Sequence, residues 1–268
     1  INIRSTGFEN VALLFSDERI KKKCSIVTDL DEAFFDITIP EGADNDDDEI
    51  KVKKKAAASQ KSGAERKVRL QNFCNNNNWV RVFFADHTFE VDFIKSGNQF
   101  YLSKIVNDVY KQEATIEIAT NELNSSEISI SGIRALTMAN YQGKGWFALT
   151  LGKEIDFKTA IPDYIFNAIK FSHGDFNRQL KYKILEHRYN SVIKHVSFAQ
   201  DQISKLNEPK DSQLKNRWSC YIKAYEDGLD AFTPKWVMFD VLKGDVDALK
   251  IEMINDLPNE NNDILRRI

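Results

Sequence analysis

The first part of the chain contains short apolar runs, which predict strands, and a segment that predicts a helix, and together they indicate an α/β unit. The run CSIVT at 24–28 is mostly apolar, as expected for a strand buried on both faces in a parallel sheet, and a second apolar run occupies 79–84. A short strand at 1–4 and a helix at 8–14 precede them. The sequence therefore predicts a parallel sheet flanked by helices.

A strongly charged segment at 41–63 interrupts this unit. It contains the acidic run DNDDDE, continues with closely spaced lysines, and has no apolar periodicity. Such segments are typical of exposed loops, so we expect a flexible surface insertion whose carboxylates lack the rigid framework of a metal site. From 64 to 76, apolar residues at helical spacing predict a helix that ends at a run of asparagines.

Helical patterns dominate the rest of the chain. They predict helices at 98–118 and 133–153, and a short helix that starts at 161–165, where proline stands near the first turn. Later in the chain, apolar residues recur almost entirely at helical spacing. We therefore expect two regions, an α/β core at 1–170 and a mostly helical extension at 171–268.

Composition is typical of a folded soluble protein and excludes several other classes. The chain is 42% hydrophobic and 29% charged, which suits a sizeable core and argues against disorder throughout. Its net charge of -3 means that nucleic acid must bind through a local basic patch or through metal ions. Three distant cysteines, Cys24, Cys74 and Cys220, favour a reducing cytoplasm over a disulfide framework. No apolar run is long enough to span a membrane.

An aspartate pair directly after the first buried strand is the sharpest chemical signal. In extended backbone, side chains two positions apart point the same way, so Asp29 and Asp31 are expected to present both carboxylates at one edge of the sheet. Hard anionic oxygens suit Mg²⁺ or Mn²⁺, which also bridge readily to phosphate. The alternative is a pair of solvated aspartates at a strand end.

Four short motifs follow one another along the chain: TDLD at 28–31, TFEVD at 88–92, GKGWFA at 143–148 and IPDYI at 161–165. The first resembles the DxD motif of Toprim domains. The other three are similar to the TFE-x-D, GKGRFA and iPxYI motifs in the nuclease half of the overcoming-lysogenisation-defect (OLD) family. Their order and spacing make residues 1–170 resemble a Toprim nuclease core.

This resemblance implies a divalent-metal-dependent DNA endonuclease. Asp29, Asp31 and Glu90 would hold one or two Mg²⁺ or Mn²⁺ ions, which polarise the scissile phosphate and activate water. Lys144, between two glycines that allow close approach, would stabilise charge on the phosphate. Asp92, expected on the same strand face as Glu90, is a second-choice ligand.

The resemblance also implies partners beyond this chain. The chain opens on Ile1 without a methionine, so we expect a fragment. An ABC-type ATPase domain and the strand with the Toprim glutamate would lie upstream. Membership of the family would further imply a homo-oligomer and a role in bacterial defence against phage. Trp146 replaces the arginine of the family motif, which removes one contact to phosphate.

Other interpretations of the same residues stay open. A catalytically degenerate Toprim scaffold would bind DNA or protein without cutting, whereas a primase or topoisomerase is disfavoured because no zinc ribbon or tyrosine-nucleophile domain is visible. The chain lacks a GxxxxGKS/T loop, so by itself it should not hydrolyse ATP. The basic residues between 170 and 195 fit either a DNA-backbone contact or a solvated helix face: Lys170, Arg178, Lys181, Lys183, Arg188 and Lys194.

Overall fold

The chain folds as two compact units, Ile1–Asp175 and Phe176–Ile268. The strand predicted at 1–4 lies outside the residues that the structure describes. The computed structural model describes residues 7–206, 211–242, 244–258 and 262–268.

The first unit combines two strands with many helices. In chain order, its described elements are α1 (Phe8–Ala12), β1 (Cys24–Asp29), α2 (Asp48–Cys74), β2 (Val80–Ala85), α3 (Phe89–Lys95), α4 (Gln99–Lys104), α5 (Val106–Val109), α6 (Glu113–Leu123), α7 (Ile128–Gln142), α8 (Lys144–Glu154) and α9 (Asp163–His173).

Strands β1 and β2 form a parallel pair, and among the described residues they are the whole sheet. Cys24 pairs with Val80, and the register continues until Asp29 pairs with Ala85. Helix α2 connects the two strands, because a parallel pair needs a crossover. The structure is therefore compatible with the predicted α/β class with parallel strands, although helices make up most of the described residues. Its Toprim-like character stays a prediction.

Helices cover both faces of the sheet. On one face, Ile26 packs with Ala12 of α1 and Leu70 of α2 in a buried apolar cluster. On the other face, the Ser25 hydroxyl donates a hydrogen bond to the carbonyl oxygen of Ala168 in α9 at 2.7 Å. Coverage on the α9 face is partial, since Val27 is 43% exposed, so β1 is not buried on both faces as predicted.

The charged segment 41–63 is helical over most of its length, contrary to the predicted flexible insertion. Helix α2 begins at Asp48, and the Asp47 carboxylate caps it by accepting a hydrogen bond from the Glu49 amide at 2.7 Å. Alanines and lysines favour helix, and Lys53 pairs with Glu49 one turn earlier at 2.9 Å. The prediction is wrong from 48 onward because capping and helix propensity, rather than apolar periodicity, specify this part of α2.

Two predictions about the chain after β2 also need correction. The segment with Glu90 and Asp92 is helix α3 rather than strand, so these two carboxylates do not share a face. The single helix predicted at 133–153 is two helices, α7 and α8, which are separated at Gly143. Gly143 has a φ of 89°, in the left-handed region that glycine adopts readily. Lys144 therefore begins a helix instead of lying near the middle of one.

Helices α3 to α8 enclose the larger apolar core of the first unit. Phe93, Leu102, Leu123 and Met138 are each at most 2% exposed in this core. The helix predicted at 98–118 corresponds to three shorter helices, α4, α5 and α6, and each of them contributes buried residues to the core. A single straight helix of that length would turn part of its apolar surface to solvent.

The second unit is helical throughout its described secondary structure. Tyr182 and Tyr189 stack on Trp236, with ring centroids 5.2 and 5.1 Å apart, and so join its two long helices. The predicted helical character of the C-terminal region is confirmed. No helix in the described part of the chain is both long and apolar enough to cross a membrane. The described helices are α10 (Arg178–Ser204), α11 (Ser212–Leu242), α12 (Val246–Asp256) and α13 (Asp263–Arg267).

Candidate functional site

The carboxylates of Asp29 and Asp31 lie at the carboxyl end of β1, and an arginine brings them together. Asp29 is the last residue of the strand, but Asp31 has a φ of 54°, so the backbone between them is not extended as predicted. Strand alternation therefore does not explain their pairing. Instead, the Arg66 Nη2 lies 3.1 Å from the Asp31 Oδ2 and 3.6 Å from the Asp29 Oδ1.

Helix α2 supplies Arg66 and presses closely against the same segment. The Arg66 Nη2 also donates a hydrogen bond to the backbone carbonyl of Asp29 at 2.7 Å. Three residues before it, Gly63 lies against Leu30, and a Cβ on Gly63 would be 1.7 Å from the Leu30 carbonyl oxygen. The helix can approach the residue between the two aspartates only because position 63 is glycine.

Glu90 lies in the first turn of α3 and is only 6% exposed. Its Oε1 is 3.3 Å from the Nζ of Lys144, the first residue of α8. Its Oε2 is buried and has no hydrogen-bond partner among the described residues. A buried carboxylate oxygen without a partner costs free energy, so this position suits a bound cation.

Two neighbouring residues repeat this pattern at the N-terminal end of α3. Asp92 is 7% exposed, and its Oδ1 has no partner in the described part of the chain, nor has the Thr88 Oγ1. The other oxygen of Asp92, Oδ2, accepts a hydrogen bond from the His87 amide at 3.4 Å. Burial raises the pKa of Asp92, and the nearby His87 partly offsets this shift. Unsatisfied oxygen atoms are therefore concentrated at this end of the helix.

The pKa of the Asp29 carboxyl group is affected by burial and by three neighbouring charged residues. Burial raises its pKa above the ordinary range, and the neighbouring Asp31 carboxylate raises it further. Arg66 and Lys144 act in the opposite direction and lower the pKa. Lys144 therefore interacts electrostatically with Asp29 as well as with its ion-pair partner on α3.

Tyr164, the second residue of α9, lies within electrostatic range of carboxylates from β1 and from α3. Burial raises the pKa of its hydroxyl far above the ordinary value, and the negative charges of Asp92, Asp29 and Glu90 reinforce the shift. The Tyr164 hydroxyl consequently stays protonated at neutral pH. It is available as a hydrogen-bond donor beside the carboxylates.

The predicted metal ligands are only partly gathered in this structure. Over the described ranges, no three or more histidine, cysteine, aspartate or glutamate side chains form a group that could hold a metal ion. Asp29 and Asp31 are held together, whereas Glu90 is paired with Lys144. The donor chemistry nevertheless fits Mg²⁺ or Mn²⁺, since all three residues offer carboxylate oxygens and one of these is buried without a partner. Their role as a shared ligand set stays a prediction.

Sequence reasoning missed two residues of the site, Arg66 and Tyr164. Arg66 belongs to a helix with several other cations, and only the tertiary approach of α2 to Leu30 brings it to the aspartates. Tyr164 is part of the IPDYI motif at 161–165, so the motif already contained the signal. Asp92, the second-choice ligand, does lie in the same acidic surroundings.

The basic stretch between 170 and 195 is used partly for internal contacts of the second unit. Arg188 is 3% exposed and donates a hydrogen bond to the Asn262 Oδ1 at 2.9 Å. The Lys181 ammonium lies 2.9 Å from the Asp247 Oδ1. These two cations therefore stabilise the helical unit and do not form the DNA-facing surface that the alternative interpretation of the stretch requires.

Comparisons of this chain with protein-family models, curated proteins and solved structures found no match. The resemblance to Toprim domains and to the OLD family thus rests on the four motifs. What the structure adds is that one residue of each motif contributes to the same charged site, namely Asp29, Glu90, Lys144 and Tyr164.

Proposed function

We propose that this chain is the Toprim-type nuclease part of an OLD-family ATPase-nuclease and that it hydrolyses phosphodiester bonds in DNA. Asp29, Asp31 and Glu90 would bind Mg²⁺ or Mn²⁺, and Lys144 would contact the scissile phosphate. The proposal includes an upstream ATPase domain, a homo-oligomer and a cytoplasmic role in defence against phage. These last features rest on the family resemblance alone.

The surroundings of Glu90 provide the main support. One of its carboxylate oxygens pairs with Lys144, while the other is buried and has no partner among the described residues. The side chain can therefore bind a cation through Oε2 and keep its contact with the lysine. Because Lys144 also lowers the pKa of Asp29, it lies within electrostatic range of both carboxylates. A phosphate between a cation and a lysine needs such an arrangement.

The residues of the chain have distinct tasks in this reaction. A bound divalent ion supplies Lewis acidity and an activated water. The Lys144 side chain is 57% exposed, so its ammonium can extend from Glu90 to a phosphate oxygen. The protonated Tyr164 hydroxyl can donate a hydrogen bond to a second oxygen. Arg66 keeps Asp29 and Asp31 together before a cation binds.

A second candidate function is a scaffold that binds DNA or protein without cutting, and Arg66 favours it. Its guanidinium already neutralises Asp29 and Asp31 from 3.6 and 3.1 Å. A metal ion at the same oxygens would meet the repulsion of this positive charge unless the arginine moved. If the chain is a scaffold, the contact of Arg66 with the two aspartates permanently connects α2 to the end of β1.

Nicking of supercoiled plasmid in the presence of Mn²⁺ tests the proposal. Wild-type protein is compared with Asp29→Asn and Asp31→Asn, which remove charge from the carboxylate pair. Asp46→Asn is the matched control, since Asp46 is exposed in the acidic run ahead of α2. We expect nicking by the wild type and the control, and loss of about 10²-fold or more in the two site variants.

Thermal unfolding of each variant shows whether its fold is intact. Direct titration with Mn²⁺, followed by electron paramagnetic resonance, separates binding from catalysis. Saturable binding that Glu90→Gln abolishes supports the metal site. Equal nicking by all four proteins, or no saturable Mn²⁺ binding by the wild type, contradicts the nuclease and favours the scaffold.

A further inference from the structure

A cavity lies towards the opposite end of the sheet from the carboxylates. It has a volume of about 340 Å³ and is formed by the start of the two strands and the last turn of α9. Lys23 directly precedes β1, and Arg81 is the second residue of β2. The side chains that give it its character are Lys23, Arg81, Asn167, Lys170, Phe171 and Asp175.

Phe171 organises the cations of this cavity. The Lys23 Nζ lies 5.3 Å from the centroid of its ring, and the Arg81 guanidinium carbon lies 4.6 Å from it. The ring is itself supported by Phe83, with centroids 6.0 Å apart. A cation above an aromatic ring is attracted to the negative face of its π system. These contacts restrict two long side chains that would otherwise move freely in solvent.

The charge of the cavity is positive and unsatisfied. Lys23, Arg81 and Lys170 provide three cations, against the single carboxylate of Asp175. Within the described part of the chain, none of the three cations forms an ion pair with a carboxylate. Lys170 also lies in the last turn of α9, where a cation offsets the negative end of the helix dipole. That role does not account for Lys23 and Arg81, which are not part of α9.

The chemistry of the lining identifies the ligand. Three exposed cations, two of them held against an aromatic ring, suit phosphate groups, and arginine can bind a phosphate through two parallel hydrogen bonds. The volume is near the lower end for small-molecule pockets, which hold about 300–1,000 Å³. Asn167 is the one side-chain amide among the lining residues and is exposed, so the cavity offers little to recognise a particular base.

We propose that this cavity binds the phosphate backbone of a nucleic acid without regard to sequence. The proposal goes beyond the nuclease, although it rests on the proposed function for the choice of nucleic acid as ligand. Arg81 is level with Ser25 in the register of the sheet, four residues before Asp29, so about 13 Å of strand separates this cation from the carboxylates at roughly 3.3 Å per residue. A strand several nucleotides long can therefore contact the cavity while another of its phosphates lies near Lys144.

Binding of fluorescein-labelled oligothymidylate, measured by fluorescence anisotropy at several salt concentrations in EDTA, tests the inference. The double variant Arg81→Gln/Lys170→Gln removes two cations from the cavity. Lys55→Gln/Lys61→Gln removes two exposed cations of α2 and is the matched control. The slope of log K against log salt is negative for single strands, and each phosphate that the protein no longer neutralises reduces its magnitude by about 0.7. We expect the magnitude of the slope to be smaller by about 1.4 in the cavity variant and unchanged in the control.

Competition with thymidine monophosphate identifies the source of the phosphate. The backbone assignment requires that the mononucleotide displace the oligonucleotide only weakly. Equal slopes for the cavity variant and the wild type overturn the inference, as does a mononucleotide that competes as well as unlabelled oligothymidylate. Because the measurement uses EDTA, its outcome is independent of metal binding, and plasmid nicking by the wild type remains a separate test of the nuclease.

Phe171→Leu separates positioning from charge. This variant keeps all three cations but removes the ring that holds two of them. We expect an unchanged salt slope, because the same cations still meet the phosphates, together with an affinity several-fold lower. An affinity equal to that of the wild type contradicts the role of Phe171 in positioning the cations.

Discussion

The ammonium of Lys144 lies 3.3 Å from the Oε1 of Glu90, and this ion pair connects the first residue of α8 to the first turn of α3. Its two partners differ sharply in exposure, since the lysine side chain is 57% exposed and the glutamate side chain only 7%. The lysine can therefore turn outward to a ligand, whereas the carboxylate is held in place. The ammonium of Lys144 could therefore approach a bound phosphate while Glu90 stays in place.

The contributions of Lys144 and Glu90 to the stability of the protein are predicted to be coupled. Lys144→Gln leaves the buried Glu90 carboxylate without its cation and should lower the free energy of unfolding by about 1 kcal/mol, a small value because the lysine is mostly exposed. Glu90→Gln in the same background removes the buried charge and should restore part of the loss. Urea unfolding of the two single variants and the double variant measures the coupling. Strictly additive effects would contradict an interaction between these residues.

Two glycines of α8 that have free space around them, Gly145 and Gly152, allow a matched test of whether a phosphate approaches Lys144. A Cβ at Gly145 or at Gly152 would meet nothing within 4 Å. Gly152→Ala should stabilise the protein by up to about 1 kcal/mol, since alanine is the better helix former. Gly145→Ala should stabilise it less, because Gly145 is only the second residue of the helix. If a phosphate reaches Lys144, the added methyl group beside it obstructs the approach and plasmid nicking falls.

Gly152→Ala controls for any effect of helix stability on activity. Nicking by this variant should equal that of the wild type, because its methyl group lies two turns away from Lys144 on α8. Equal activity of both alanine variants would show that DNA does not approach α8 at its first turn.

The sequence predicted those parts of the molecule that local patterns specify. The runs at 24–28 and 79–84 are apolar enough to be buried strands, and the structure has β1 and β2 there with a parallel register. Asp29, the last residue of β1, follows from the same pattern. The helix of the charged segment was missed because Asp47 and the alanines that follow stabilise it without an apolar stripe.

The rest of the site depends on tertiary contacts that no local pattern reports. Arg66 reaches the aspartates only because α2 lies against Leu30, and Asp31 has a left-handed backbone that simple strand geometry does not include. The predicted strand face shared by Glu90 and Asp92 is wrong, because the segment that follows β2 is helix α3. The burial of that segment against helices α4 to α8 selects a helix instead.

Replacement of Arg66 should separate the nuclease from the scaffold. In a metal site, Arg66→Gln removes a positive charge about 3–4 Å from the carboxylates, and its loss is worth about 1 kcal/mol in wet surroundings. Mn²⁺ should then bind roughly fivefold more tightly, as measured by electron paramagnetic resonance. Stability without metal should fall, because Asp29 and Asp31 repel each other and the hydrogen bond to the Asp29 carbonyl is absent.

Lys67→Gln, one residue further along α2, carries the same charge change and serves as the control. It should alter neither Mn²⁺ affinity nor stability appreciably, since it is not part of the carboxylate contacts. If the chain is instead a non-catalytic scaffold, neither variant should show saturable Mn²⁺ binding. Arg66→Gln should then lower stability to the same extent with and without the metal.

The close approach of Gly63 to Leu30 makes the carboxylate site sensitive to a single methyl group. Gly63→Ala places a Cβ 1.7 Å from the Leu30 carbonyl oxygen, and a backbone atom cannot move aside as a flexible side chain can. Overpacking of this kind costs about 1–3 kcal/mol, and we expect the upper end of that range. Because Leu30 lies between Asp29 and Asp31, the displaced backbone should also pull both carboxylates away from Arg66 and reduce plasmid nicking. Ser62→Ala, at the exposed neighbouring position, is the control and should leave both the unfolding temperature and nicking unchanged. An alanine at 63 without loss of stability would mean that α2 does not press against the carboxyl end of β1.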